Sequence, residues 1–227
     1  MNADLSDASG SRDNDWNAFV AEWLAGLFIG PVSADAVASY RIGLAAGFLD
    51  VLAVEPGCKP GVLSMRSALT TEDSPVTAAR KLAAAFTLLF DGVGGPETVS
   101  PYESAYVGES GRLFGTPAGA MDHLLRRLDL STHDALREPP DHLSVELALL
   151  ARLMRGSSSC DAQAALLDDH LLVWVPSFAV RCRNADRTGF YAGAVDVMTV
   201  FLTAQRAALQ VKRTTTSMTG VMSCRSK

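Results

Sequence analysis

Apolar residues recur at spacings of three and four along most of this chain, the pattern of helices with one buried face. Trp16, Phe19, Val20, Trp23, Leu24 and Leu27 make the first such stripe, and the two tryptophans read as core. Gly30-Pro31 closes that helix, and Ser33 stands where an N-cap is needed for the next, predicted to run to Val54. The loop EPGCKPG and a short helix over LSMRSAL follow. Ser74-Pro75 and Thr116-Pro117 are cap-plus-proline starts, since proline at the first helical position forfeits no hydrogen bond. They open VTAARKLAAAFTLLF and TPAGAMDHLLRRLDL, the second with Met121, Leu124, Leu125 and Leu128 on one side. DGVGGP stops the first of these; it lacks the lysine and the preceding strand of a phosphate-binding loop. Next come DHLSVELALLARLM, with Leu143, Leu147, Leu150 and Met154 inward, and AQAALLDDHLLVWV, predicted to end at Pro176. GFYAGAVDVMTVFLTAQRAAL is the last long helix. No run alternates as a strand would, and no repeat of roughly 20–50 residues is present.

The predicted class is therefore all-α: one globular helical domain of two lobes joined by a proline-containing hinge. Residues 15–130 form the N-terminal lobe, 131–140 the hinge (STHDALREPP) and 141–211 the C-terminal lobe. Polar, acidic residues 1–14 and the basic, aperiodic tail 212–227 are expected to be disordered. A net charge of −5 argues against a nucleic-acid binder, which would need a basic face. The four cysteines are scattered without a CxxC pair, which fits free thiols in a reducing compartment. The N-terminus has no signal-peptide pattern, and the apolar stretch FVAEWLAGLFIG is too short to span a bilayer. The expected location is the cytoplasm, without membrane insertion.

Three of the four histidines share one tripeptide: Asp122-His123-Leu124, Asp141-His142-Leu143 and Asp169-His170-Leu171. Helical metal sites place ligands three or four residues apart, and of these only His142 and Glu146 comply. His123 meets Arg127 four residues on, and His170 meets Trp174. Neighbours on a helix diverge by about 100°, so Asp141 and His142 do not hold each other as a catalytic pair does. No nucleophile elbow is present. The sequence thus predicts no catalytic residue and no metal ligand; a helical metal-dependent enzyme using the Asp-His pairs is the alternative. Taken alone, EPPDHL reads as a helix start, with Pro140 early and Asp141 at the positive helix end.

Three segments carry a family resemblance. EPPDHLSVELALLARL resembles the hallmark segment of the TorD family of cytoplasmic chaperones, which mature molybdenum-containing oxidoreductases. SPYESAY is similar to that family's aromatic-x-Ser-x-Tyr loop, and VWVPSFAVRCRNADRTGFYAGAVDVMTVFL to its C-terminal block. The resemblance implies an all-helical fold and a non-enzymatic, client-specific chaperone. Its partners would be an apo reductase of the trimethylamine N-oxide or dimethyl sulfoxide type and that enzyme's twin-arginine leader. The molybdenum cofactor would belong to the client, and this chain would need none of its own. Some family members bind GTP weakly, but no residue here is carried over for it. Either a monomer or a domain-swapped dimer fits. The implied client site is Tyr102, Ser104, Tyr106, Glu138, Pro139, Pro140, Asp141 and His142. A carboxylate suits an arginine-bearing peptide, because charge-assisted hydrogen bonds are the stronger kind. The tyrosines offer faces for apolar side chains and guanidinium groups.

Overall fold

The computed structural model describes residues 3–107, 115–128, 130, 138–156 and 160–223, with side chains described between residues 13 and 214. It is all-α. The helices are α1 (Ala3–Ile29), α2 (Ala34–Arg41), α3 (Leu44–Val54), α4 (Lys59–Thr70), α5 (Pro75–Phe90), α6 (Thr116–Arg127), α7 (Leu143–Arg155), α8 (Cys160–Leu166), α9 (Leu172–Ala185) and α10 (Phe190–Ser223). Among the described residues there is no strand, and no single helix is long and apolar enough to cross a membrane.

The expected caps form. Ser33 Oγ accepts from Ala36 N–H at 3.1 Å, and Ser74 Oγ from Thr77 N–H at 3.1 Å, each satisfying a donor that the first turn leaves open. The helix predicted from Ser33 to Val54 is instead two, bent by 61°. Gly43 makes the break at φ 150°, a conformation that glycine adopts readily and other residues resist. Pro176 does not end a helix, as the sequence reading has it, but lies inside α9. A proline there costs about 3 kcal/mol. Burying Trp174 and Phe178 on the same helix returns about 1.5–3 kcal/mol or more for each, so packing decides the outcome.

Helical backbone also covers most of both segments expected to be disordered, from Ala3 and as far as Ser223. Extending an existing helix needs no new nucleus, which polar composition does not reveal.

The core is built around α7, whose residues from Leu143 to Met154 are buried on almost every side. α1 packs along α7, and α10 against α4 and α9. Phe28, Phe86, Phe90, Phe178 and Tyr191 interlock at centroid distances of 5.2 to 6.1 Å, tying α1, α5, α9 and α10 into one apolar cluster. Helices on both sides of the expected hinge thus share a core; residues 131–137 of that hinge lie outside the described residues.

Candidate functional site

Two extended segments meet at the N-terminus of α7. Pro101 and the Pro139-Pro140 pair keep the chain out of helix on either side. Tyr102 and His142 form an isolated antiparallel bridge, with Glu103 N–H donating to Asp141 C=O at 2.9 Å and Leu143 N–H to Pro101 C=O at 2.8 Å. A single 3₁₀ turn, Glu103–Ala105, then carries the chain to Tyr106. α7 begins at Leu143, two residues beyond the sequence expectation, and its cap is His142: Nδ1 accepts from Ser144 N–H at 3.1 Å.

Most of the expected site residues assemble around this bridge. Half-buried Tyr102 donates its hydroxyl to Glu138 Oε2 at 2.7 Å, and its ring meets the His142 ring edge-on at 4.9 Å. Burial does most to push the Tyr102 phenol pKa upward, and Glu138, Asp141 and Asp91 add to the rise. Asp91 is a contributor that the sequence reading missed. Tyr106 stacks on Trp174 at 5.3 Å, and the Arg181 guanidinium lies 5.6 Å from its ring centre. Its phenol is pushed up to about 12, chiefly by burial, with Arg181 opposing. Pro139 and Pro140 are half-buried.

Asp141 and His142 sit differently from the expectation that they line a groove surface: they are 0% and 4% exposed. Asp141 Oδ2 accepts from Ser104 N–H at 3.1 Å, and Ser104 is equally enclosed. A carboxylate oxygen bound by a backbone donor is a loop clamp, and with the His142 cap it pins residues 101–106 onto α7. Of the expected residues, Tyr102, Tyr106, Glu138, Pro139 and Pro140 keep some exposure.

Behind this wall lies a polar cluster that helical spacing does not disclose. Glu103 Oε2 is 2.8 Å from His170 Nδ1, and Glu146 Oε2 accepts from Trp174 Nε1–H at 3.1 Å. One donor atom each from Glu103, Glu146 and His170 lie within 4.8 Å of one another. Burial, then the Glu103 charge, hold the Glu146 carboxyl well above its ordinary pKa. His170 stands in a π-helical segment, Leu167–Leu171, a widened turn often found at functional sites. In two of the three Asp-His pairs the histidine bonds elsewhere: His142 Nδ1 accepts from Ser144 N–H, and His170 Nδ1 meets Glu103. The one advance signal was Glu146 itself, a carboxylate inside an apolar helical run.

Residues 55–180 match the model of the nitrate reductase delta subunit family. The chain belongs to this family. Its relatives include proteins named chaperone protein TorD. The one from Photobacterium profundum is 31% identical over 207 residues, covering 86% of this chain and 95% of the relative. That of Vibrio cholerae serotype O1 is 32% identical over 206 residues, covering 86% and 93%. That of Vibrio atlanticus is 29% identical over 201 residues, covering 83% and 92%. The family expected from the sequence is thus borne out.

In this family member the whole bridge, from Pro101 to Glu146, lies inside the matched span. Its cap has a pH signature. Burial lowers the His142 pKa from 6.5 to about 4, against Glu138 and Asp141, which raise it. Above pH 6.5 the ring is neutral in both folded and unfolded chains and has no effect. As pH falls from 6.5 towards 4, the unfolded chain takes up a proton that the folded chain refuses. Stability drops across that window, by about 3 kcal/mol at its lower end. His142→Asn keeps a capping side chain and removes the titration. Denaturant melts from pH 7 to 4 are expected to show a shallower decline for the variant; parallel curves would refute the assignment.

Proposed function

We propose that this protein is a client-specific chaperone. It binds an apo molybdenum reductase of the trimethylamine N-oxide or dimethyl sulfoxide type and keeps it competent for cofactor insertion before export. It acts without turnover, in the cytoplasm, and grips the twin-arginine leader of the client at the rim formed by Tyr102, Tyr106, Glu138, Pro139 and Pro140. Family membership supports the chaperone role. The observation that carries the leader reading is the rim itself: aromatic faces, a carboxylate on Tyr102, and the Asp91 and Asp141 charges around it. An arginine-bearing peptide meets hydrogen-bond acceptors there, and its apolar stretch meets rings. Asp141, His142 and Ser104 serve the site by shaping its wall. The protein works as a monomer or as a domain-swapped dimer.

Calorimetric titration with a synthetic twin-arginine leader, and with the same peptide carrying two glutamines for the arginines, tests this. Wild type is expected to bind the first and not the second. Tyr102→Ala with Glu138→Gln is expected to weaken binding by roughly 10-fold or more, the loss of about 1.4 kcal/mol or more that a charge-assisted contact and an aromatic face represent. Undiminished affinity in the variant would remove the rim from the reading. Absence of wild-type binding would leave the folded body of the client as the target.

A further inference from the structure

We infer that Glu103, Glu146 and His170 form a binding site for one first-row divalent metal ion, which locks the loop of residues 101–106 to the core. The three side chains come from separate elements: the 3₁₀ turn, α7 and the π-helical segment. They are 2%, 0% and 9% exposed, and their donor atoms lie within 4.8 Å of one another.

A buried carboxylate must be paired, protonated or bound to metal. Glu103 has His170. Glu146 has Trp174 on Oε2, while its buried Oε1 meets no N–H donor among the described residues and is left to share a proton with the neighbouring Glu103 carboxylate or to take a metal in that proton's place. A doubly charged cation neutralises both carboxylates together and gives that oxygen a ligand. One imidazole nitrogen with two carboxylate oxygens suits zinc, manganese or iron(II).

One edge of the site already has nearly the right length. Two ligands at right angles, each about 2.1 Å from an octahedral ion, are about 3.0 Å apart. His170 Nδ1 and Glu103 Oε2 are 2.8 Å apart, so this edge asks only for loss of the shared hydrogen and a slight spreading, while the Glu146 oxygen, within 4.8 Å of both, must lie no more than about 4.2 Å from each. The Trp174 N–H on Glu146 is the kind of outer hydrogen bond that orients a ligating carboxylate. The π turn has a purpose on this reading: one inserted residue turns a helix face by about 100°, and here the turn places His170 opposite α7.

The test uses the full chain, stripped with chelator and dialysed. It is titrated with Mn²⁺ and Zn²⁺ by calorimetry, and with Co²⁺ followed by its visible absorption. One ion per chain is expected, with a higher melting temperature in its presence. Glu146→Gln keeps an acceptor for Trp174. In this variant affinity should fall by more than the roughly 10–100-fold that losing an outer-shell partner costs. His170→Gln should act alike, and His123→Gln should change nothing. Failure of wild type to bind any of the three ions with unit stoichiometry overturns the site, whether or not the variants fold. Equal affinity in wild type, Glu146→Gln and His170→Gln also overturns it, placing the ion elsewhere. The metal titrations contain no leader, so they are read whatever the leader titration shows.

Discussion

Replacing Trp174 with alanine is expected to cost about 5 kcal/mol, enough to unfold a domain of ordinary stability. The side chain is fully buried. Deleting a buried tryptophan opens a cavity worth about 3–5 kcal/mol. The Trp174 ring also stacks on Tyr106 and packs edge-on against Phe178. Its N–H serves Glu146, and leaving that buried oxygen without a donor adds about 1–3 kcal/mol. Trp174→Phe separates the two contributions. It keeps most of the ring and loses the donor, so a cost of about 1–3 kcal/mol is expected from that variant. Urea melts followed by circular dichroism measure both. If Trp174→Phe were as damaging as Trp174→Ala, volume rather than the hydrogen bond would be excluded as the main effect.

Gly193→Ala is the second large effect, and its sign is the informative part. In an unpacked helix this change stabilises by about 1 kcal/mol. Here a Cβ at Gly193 would come 2.4 Å from the Gly61 carbonyl oxygen, and one at Gly61 would come 2.6 Å from the Gly193 carbonyl. α4 and α10 cross backbone to backbone at this pair. The obstacle is main chain, which cannot swing aside, so the helices must separate. Overpacking costs about 1–3 kcal/mol or more, and Gly193→Ala is expected at or above the top of that range. A melting temperature at or above that of wild type would mean that α4 and α10 do not approach so closely.

Much of the fold was legible because its signals are local. Ser33 and Ser74 each reach a donor three residues on, and the apolar stripes follow the helix period. The break at Gly43 and the passage through Pro176 were not legible, since a lone glycine or proline is outvoted or obeyed according to packing far along the chain. SPYESAY and EPPDHL, far apart in the chain, meet at the Tyr102–His142 bridge. The cluster behind it was missed for a geometric reason. Glu103, Glu146 and His170 are neighbours only through tertiary contact, and the search for ligands asked for spacings of three or four on one helix. Burial of Asp141 and His142 was equally hidden: a polar pair beside two prolines has the composition of a surface turn.

The partnership of α1 with α7 bears on how the protein is made. Ser144 donates its hydroxyl to the Ala25 carbonyl across 119 residues of sequence. At a synthesis rate of roughly 5–20 residues per second, the ribosome spends about 6–24 seconds between those two residues. Throughout that interval α1 has Phe48 of α3 and Phe90 of α5 to pack against, but not α7. A chaperone built this way emerges with the α7-facing side of its first helix uncovered, and that side waits for the helix that follows Asp141 and His142.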